Sequence, residues 1–101
     1  MKVVFSLVAE HDLGDLFIYI TKNLNNPIAA KNIVEKILRR SKELEGFPEM
    51  GASLRTLDSR LGSYRYLIID NYLLIYKVVI QEVSVVRILY ARSDYVRLLH
   101  G

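Results

Sequence analysis

Between Tyr64 and Ala91 the chain carries three strand-like runs in succession, roughly 64–69, 71–79 and 83–91, rich in β-branched, aliphatic and aromatic residues. Short polar breaks at Asp70-Asn71 and Gln81-Glu82 leave room only for tight turns, so the runs predict an antiparallel meander. In the central run both alternating sets are apolar: Leu73 and Ile75 on one side, Tyr72, Leu74, Tyr76 and Val78 on the other. A strand apolar on both sides is covered on both sides, which places it in the middle of a sheet. Arginines and tyrosines interrupt these runs and continue to Arg97: Arg65, Arg87 and Arg92, with Tyr64, Tyr66, Tyr72, Tyr76, Tyr90 and Tyr95. Guanidinium and phenol groups on a rigid sheet suit phosphate, nucleic acid or carboxylate recognition.

The preceding half supplies helices. Val3 to Leu7 is β-rich and reads as a first strand; Glu10 and Asp12 follow with no small-residue cleavage pattern, which argues against a signal peptide. Leu13, Leu16, Phe17, Ile20 and Leu24 then fall on one helical face, with Ser6 as the cap and Asn25-Asn26-Pro27 as the stop. Gly14 inside that helix suggests a close approach by another element. Pro27 opens a second helix with Ala30, Ile33, Val34, Ile37, Leu38, Ser41 and Leu44 as its buried stripe, ended by Gly46 and Pro48. Residues 45–62 lose the pattern and predict an ordered loop with a short strand or turn near Leu54–Leu57 and Phe47 plugging the core. Ser93 to Leu99 reads as a short terminal helix. The expected fold is α+β in the order β-α-α-β-β-β: a mostly antiparallel twisted sheet, a two-helix hairpin on one face, and the Arg/Tyr set on the other.

A chain of 101 residues, 51% apolar and 25% charged, is one globular domain spanning 1–101. Residues 51–101 hold seven basic and four acidic side chains, whereas residues 1–50 hold seven of each, so the whole net charge of +3 lies in the second half. Six of those seven basic residues are Arg. An anionic partner for this half is expected. There is no cysteine and only His11 and His100, so thiolate and zinc sites have no recognisable ligand set, and no cofactor is expected. Glycines at 14, 46, 51, 62 and 101 form neither a dinucleotide fingerprint nor a P-loop. A Ser/His/Asp site would draw on His11 or His100, expected at element ends near opposite termini. No run reaches the roughly 20 apolar residues of a membrane span, and a cytoplasmic location follows by default.

Each candidate has a bland reading beside a functional one. Arg65 is an edge-strand arginine with its head in water, or a phosphate clamp. Arg87 pairs with a helix carboxylate, or faces a partner. Arg92, at the end of the last strand, is well placed for function. Tyr90 and Tyr95 bury rings, stack a base, or transfer protons.

The ordered motifs resemble those of the RelE/ParE superfamily of type II toxin–antitoxin toxins. They are the A-x-x-D-L helix start (Ala9, Asp12, Leu13), the N-P-x-A-A opening (Asn26, Pro27, Ala29, Ala30) and the L-x-x-F-P-x-x-G ending (Leu44, Phe47, Pro48, Gly51). The Tyr64-Arg65 pair, the N-Y-x-x-x-Y hairpin (Asn71, Tyr72, Tyr76) and the closing V-x-V-x-R-I-x-Y-x-R-x-D (Val83, Val85, Arg87, Ile88, Tyr90, Arg92, Asp94) complete the set. The resemblance implies a growth inhibitor of the plasmid-stabilisation kind, held in a hetero-oligomer by a cognate antitoxin. Two activities are open. ParE-like members inhibit DNA gyrase by protein contact, here with Arg65, Arg87, Arg92, Tyr95 and Arg97 as target- or antitoxin-binding residues. RelE-like members are metal-independent mRNA endoribonucleases on the ribosome, which would make Arg65, Arg92, Tyr90 and Tyr95 catalytic. Leu73 stands where many nuclease members carry an arginine, and Tyr90 where the YoeB type carries a histidine. Both departures favour the ParE-like branch, with the mRNA interferase as the alternative.

Overall fold

The computed structural model describes residues 1–56 and 58–91. The elements are β1 (Lys2–Phe5), α1 (Leu7–Ile18), α2 (Pro27–Lys42), β2 (Ala52–Ser53), β3 (Arg65–Ile69), β4 (Tyr72–Val79) and β5 (Glu82–Tyr90). They build one five-stranded sheet in the order β1-β5-β4-β3-β2, antiparallel except for the parallel β1–β5 pair. The fold is α+β, and β4 sits mid-sheet as its doubly apolar sequence requires. The expected terminal helix at Ser93 to Leu99 lies outside the described residues.

Ser6 ends β1 and starts α1, its hydroxyl accepting the Ala9 amide at 3.0 Å. His11 lies inside α1, not at an element end. The buried stripe is Ala9, Leu13, Leu16 and Ile20, narrower than expected: Phe17 stands at its margin and Leu24 is exposed. The reason is a π-helical turn over Tyr19–Asn23, in which the Leu24 amide reaches back to the Tyr19 carbonyl at 3.3 Å. The wider turn changes the angular phase and carries Leu24 off the core. Asn25 turns the chain at φ 50°, Asn26 caps α2 through the Ala29 amide at 3.0 Å, and Pro27 takes the first helical position. Ala30, Ile33, Ile37, Ser41 and Leu44 are buried, while Leu38 is exposed. Among the described residues no other element comes within 4 Å of where a Cβ at Gly14 would sit, contrary to expectation.

Two apolar clusters sandwich the sheet. The larger joins the helices to Leu67, Ile69, Leu74, Tyr76, Val83, Val85 and Ile88. The smaller, on the opposite face, is Leu54, Leu61, Leu73, Ile75 and Leu89, with Tyr64, Tyr66 and Val86 against it. That second cluster corrects the expectation of an open Arg/Tyr face. Each of its buried aliphatic side chains contributes about 1.5–3 kcal/mol, enough to hold the short-turned segment 54–61 on the sheet. The first hairpin turn is Asp70-Asn71 as expected, with Asp70 at φ 53°. The second is Ile80-Gln81 rather than Gln81-Glu82, because Val79 pairs with Glu82. This register keeps Val83 and Val85 on the buried face, and a shift by one residue would turn both outward.

The loop after α2 is fastened by Tyr76. Its fully buried hydroxyl donates to the Pro48 carbonyl at 2.8 Å and accepts the Gly51 amide at 2.9 Å. With the loop held there, Phe47 faces solvent at 69% exposure, so it does not plug the core; Leu44 and Tyr76 fill that space. A Cβ at Gly51 would lie 2.6 Å from the Tyr76 hydroxyl oxygen and 2.8 Å from the Tyr66 carbonyl oxygen.

At the other side of the sheet β1 covers β5 only from Glu82 to Val85. The remaining edge of β5 is closed by α1 and its cap. The Ser6 amide donates to the Val85 carbonyl at 2.9 Å and its hydroxyl to the Val86 carbonyl at 3.1 Å. The Asp12 carboxylate then accepts the Ile88 amide at 2.9 Å and the Arg87 guanidinium at 2.8 and 3.1 Å. A register irregularity at Ile75/Tyr76 leaves Val86 as the extra residue of β5, so that Ile88 rather than Arg87 continues the face of Val83 and Val85.

Three outcomes follow for stability. Gly51→Ala should cost about 2–4 kcal/mol in urea unfolding, because backbone and a pinned hydroxyl flank the new methyl. Asp12→Ala should cost about 2–4 kcal/mol, since it leaves a partly buried guanidinium and the Ile88 amide without their acceptor; Arg87→Ala should cost less. Burial raises the Tyr76 pKa above the ordinary 10.0, outweighing the Gly51 bond and Arg65, which lower it. The folded state therefore holds the phenol proton more tightly than the unfolded state. That stability is complete below pH 10.0 and falls as pH rises through the folded value. Above pH 10.0 the parent chain should lose stability more steeply than Tyr76→Phe.

Candidate functional site

The described sheet arginines do not converge on one surface. Arg65 opens β3 opposite Tyr76, on the face that carries Leu67 and Ile69. Its guanidinium donates to the Gly51 carbonyl at 2.8 Å and the Glu49 carbonyl at 3.3 Å. Because β2 pairs with it through Ser53, Arg65 is not an edge residue with its head in water. It ties the Glu49–Gly51 loop to the sheet. Arg87, two strands away across β4, turns the opposite way to Asp12. The side-chain bond to Asp12 raises the already high Arg87 pKa, with desolvation opposing it, so the guanidinium stays charged.

Other cations of the second half are also engaged. Arg60 grips the Asp58 carboxylate at 2.6 Å, and Lys77 lies 5.7 Å from the ring centroid of Tyr64. Leu73 occupies the outer-face cluster at 6% exposure. The position that carries a phosphate-binding arginine in the nuclease pattern is here part of an apolar core. Arg92, Tyr95 and Arg97 lie outside the described residues. Among the described residues no group of three His, Cys, Asp or Glu is placed to hold a metal ion, and no helix is long and apolar enough to cross a membrane.

Tyr90 is the candidate that the structure places beside a cavity. It is 46% exposed and packs edge to face on Tyr72, its cross-strand partner, with ring centroids 5.8 Å apart and planes at 66°. Together they wall a cleft of about 560 Å³ between the C-terminal half of α1 and the ends of β4 and β5. Asp12, Asp15 and Tyr19 form the helical wall, and Leu16, Leu24, Ile88 and Leu89 are its apolar lining. Burial raises the Tyr72 pKa, and the neighbouring Tyr90 and Tyr19 raise it further, so the phenol remains a neutral donor. A second recess of about 510 Å³ continues past Leu24, Asn71 and Tyr72 towards Ile20 and Ile33. The ion pair of Lys36 with Asp70, at 2.6 Å, lies at its far side.

Asp15 and Tyr19 were not among the sequence candidates. Their signal is visible in retrospect: Asp12, Asp15 and Tyr19 fall at i, i+3 and i+7, a polar and aromatic stripe alongside the apolar one. Apolar periodicity hides such a stripe, because it counts these residues as solvent-facing.

A family model described as the ParE toxin of the type II toxin–antitoxin system, parDE, matches residues 3–95. Among solved structures, the chromosomal ParDE TA system from P. aeruginosa superposes with a TM-score of 0.77 at 21% identity, covering 91% of this chain and 97% of that one. No curated protein matches the sequence significantly. The family-model match over residues 3–95 places this chain in the ParE toxin family of type II toxin–antitoxin systems.

Proposed function

We propose that this toxin arrests growth by binding DNA gyrase, without catalysis of its own, and that a cognate antitoxin neutralises it in a hetero-oligomer. The observation that carries the reading is the burial of Leu73. Stabilising the charge of a scissile phosphate needs cationic groups aimed at one point, and the outer face of β4 offers instead Leu73 and Ile75 within an apolar cluster. Arg65 and Arg87 diverge to Gly51 and Asp12, which argues in the same direction. Family membership supports a dedicated antitoxin. Gyrase contact falls on Arg87, Arg92, Tyr95 and Arg97, along β5 and the residues after it, while Arg65 lies two strands away and holds the Glu49–Gly51 loop.

Purified toxin added to gyrase should inhibit supercoiling of relaxed plasmid, and expression in cells should give filaments with a DNA-damage response. Codon-phased mRNA ends with rapid translation arrest would overturn this reading in favour of the ribosome-dependent endoribonuclease, with Tyr90 and Tyr95 in proton transfer. Arg92→Ala should abolish toxicity and leave the melting temperature within about 2 °C of the parent. A drop well beyond that would make Arg92 a structural residue.

A further inference from the structure

We propose that the cleft between α1 and the β4–β5 pair is a receptor for an arginine side chain, carried by the antitoxin. The chemistry is read from the cleft, while the source of the arginine rests on the toxin–antitoxin reading. Three tyrosines meet there: Tyr72 and Tyr90 packed edge to face, and Tyr19 on the helical wall. Aromatic faces in this arrangement attract a flat cation, and guanidinium stacks on tyrosine while its edge remains available for a carboxylate.

The charges agree with that ligand. None of the described side chains lining the cleft is basic, although the chain as a whole carries +3. The Asp12 carboxylate is matched by Arg87, so the net negative charge of the cleft comes from Asp15, which is solvent-exposed. An acidic side chain entering here would meet two carboxylates. A purely apolar one would desolvate Asp15 and the phenols without replacing their water contacts. An arginine satisfies both halves: its methylene stem packs on Leu16 and Ile88, and its head lies among the rings and Asp15. The volume of about 560 Å³ accommodates such a side chain with part of its backbone. The adjoining recess, apolar at Ile20, Ala29 and Ile33 and polar at Asn32, Lys36 and Asp70, fits an aliphatic residue close to the arginine in the same segment.

The test uses the full-length toxin labelled with 15N and with 13C at its tyrosines, titrated with N-acetyl-arginine amide and with its neutral isostere N-acetyl-citrulline amide. The arginine compound should shift the resonances of Asp15, Tyr19, Tyr72 and Tyr90 saturably, and the citrulline compound should bind at least about fivefold more weakly. Asp15→Asn should weaken the arginine compound about three- to fivefold, within the range for a partly exposed charge pair. Equal response to both compounds, shifts scattered over carboxylates away from the cleft, or an unaffected Asp15→Asn would overturn the proposal. Because the titration uses the toxin alone, a negative gyrase assay leaves its result standing, and a failed titration leaves the gyrase reading standing. If the cleft binds arginine but the toxin–antitoxin complex leaves these four resonances in place, the antitoxin is not the source.

Discussion

The carboxylate of Asp12 fixes α1 on β5 at a point that apolar packing alone leaves unspecified. β1 is four residues long and stops at Phe5, well before β5 ends. An uncovered strand edge is a row of unmatched donors and acceptors, and it invites pairing with another chain. Ser6 and Asp12 close that edge from the side, one through its backbone and hydroxyl, the other through a carboxylate shared between Arg87 and the Ile88 amide. α1 is thereby fixed in both position and rotation against the last strand. Its next turn then presents Asp15 and Tyr19 across from Tyr72 and Tyr90, so the cleft is a consequence of how the sheet edge is capped.

Tyr76 plays the matching role on the other side of β4. The segment from Pro48 to Gly51 has little regular structure, yet Arg65 and the Tyr76 hydroxyl reach three of its carbonyls, and the hydroxyl also takes its Gly51 amide. This explains why a glycine stands at position 51 and why a tyrosine, not a phenylalanine, occupies a fully buried position of β4. Two arginines that look like a recognition pair in the sequence are thus holding opposite margins of the same strand layer.

What could be read from the sequence was local. Ser6, Asn26 and Pro27 announce their caps by residue type, and the doubly apolar β4 announces its central place, because these depend on a few neighbouring residues. What could not be read depended on registers and partners far along the chain. Phe47 looks like a core plug, and only the Tyr76 anchor turns it outward. Gln81-Glu82 is the more polar pair, but burial of Val83 and Val85 moves the turn to Ile80-Gln81. The π turn at Tyr19–Asn23 has no composition of its own, and it alone separates the expected position of Leu24 from the observed one. The direction of Arg87 and Arg65 is not legible in the sequence: their acceptors, Asp12 and the Gly51 carbonyl, lie 75 and 14 residues away.

That redirection changes what the net charge means. A basic second half suggests a basic surface, and an acidic partner to match it. With Arg87 bound to Asp12, Arg60 to Asp58 and Arg65 to loop carbonyls, much of the described positive charge serves the fold. Long-range attraction to an anionic partner survives, because internal pairing with neutral carbonyls does not cancel charge. Close contact is decided by local groups instead, within a screening length of roughly 8 Å. At that range the described residues of the cleft beside Tyr90 are acidic and aromatic, the reverse of the chain's overall sign. A partner segment suited to this toxin therefore needs both signs: acidic residues to be drawn in, and a cation to seat among the tyrosines.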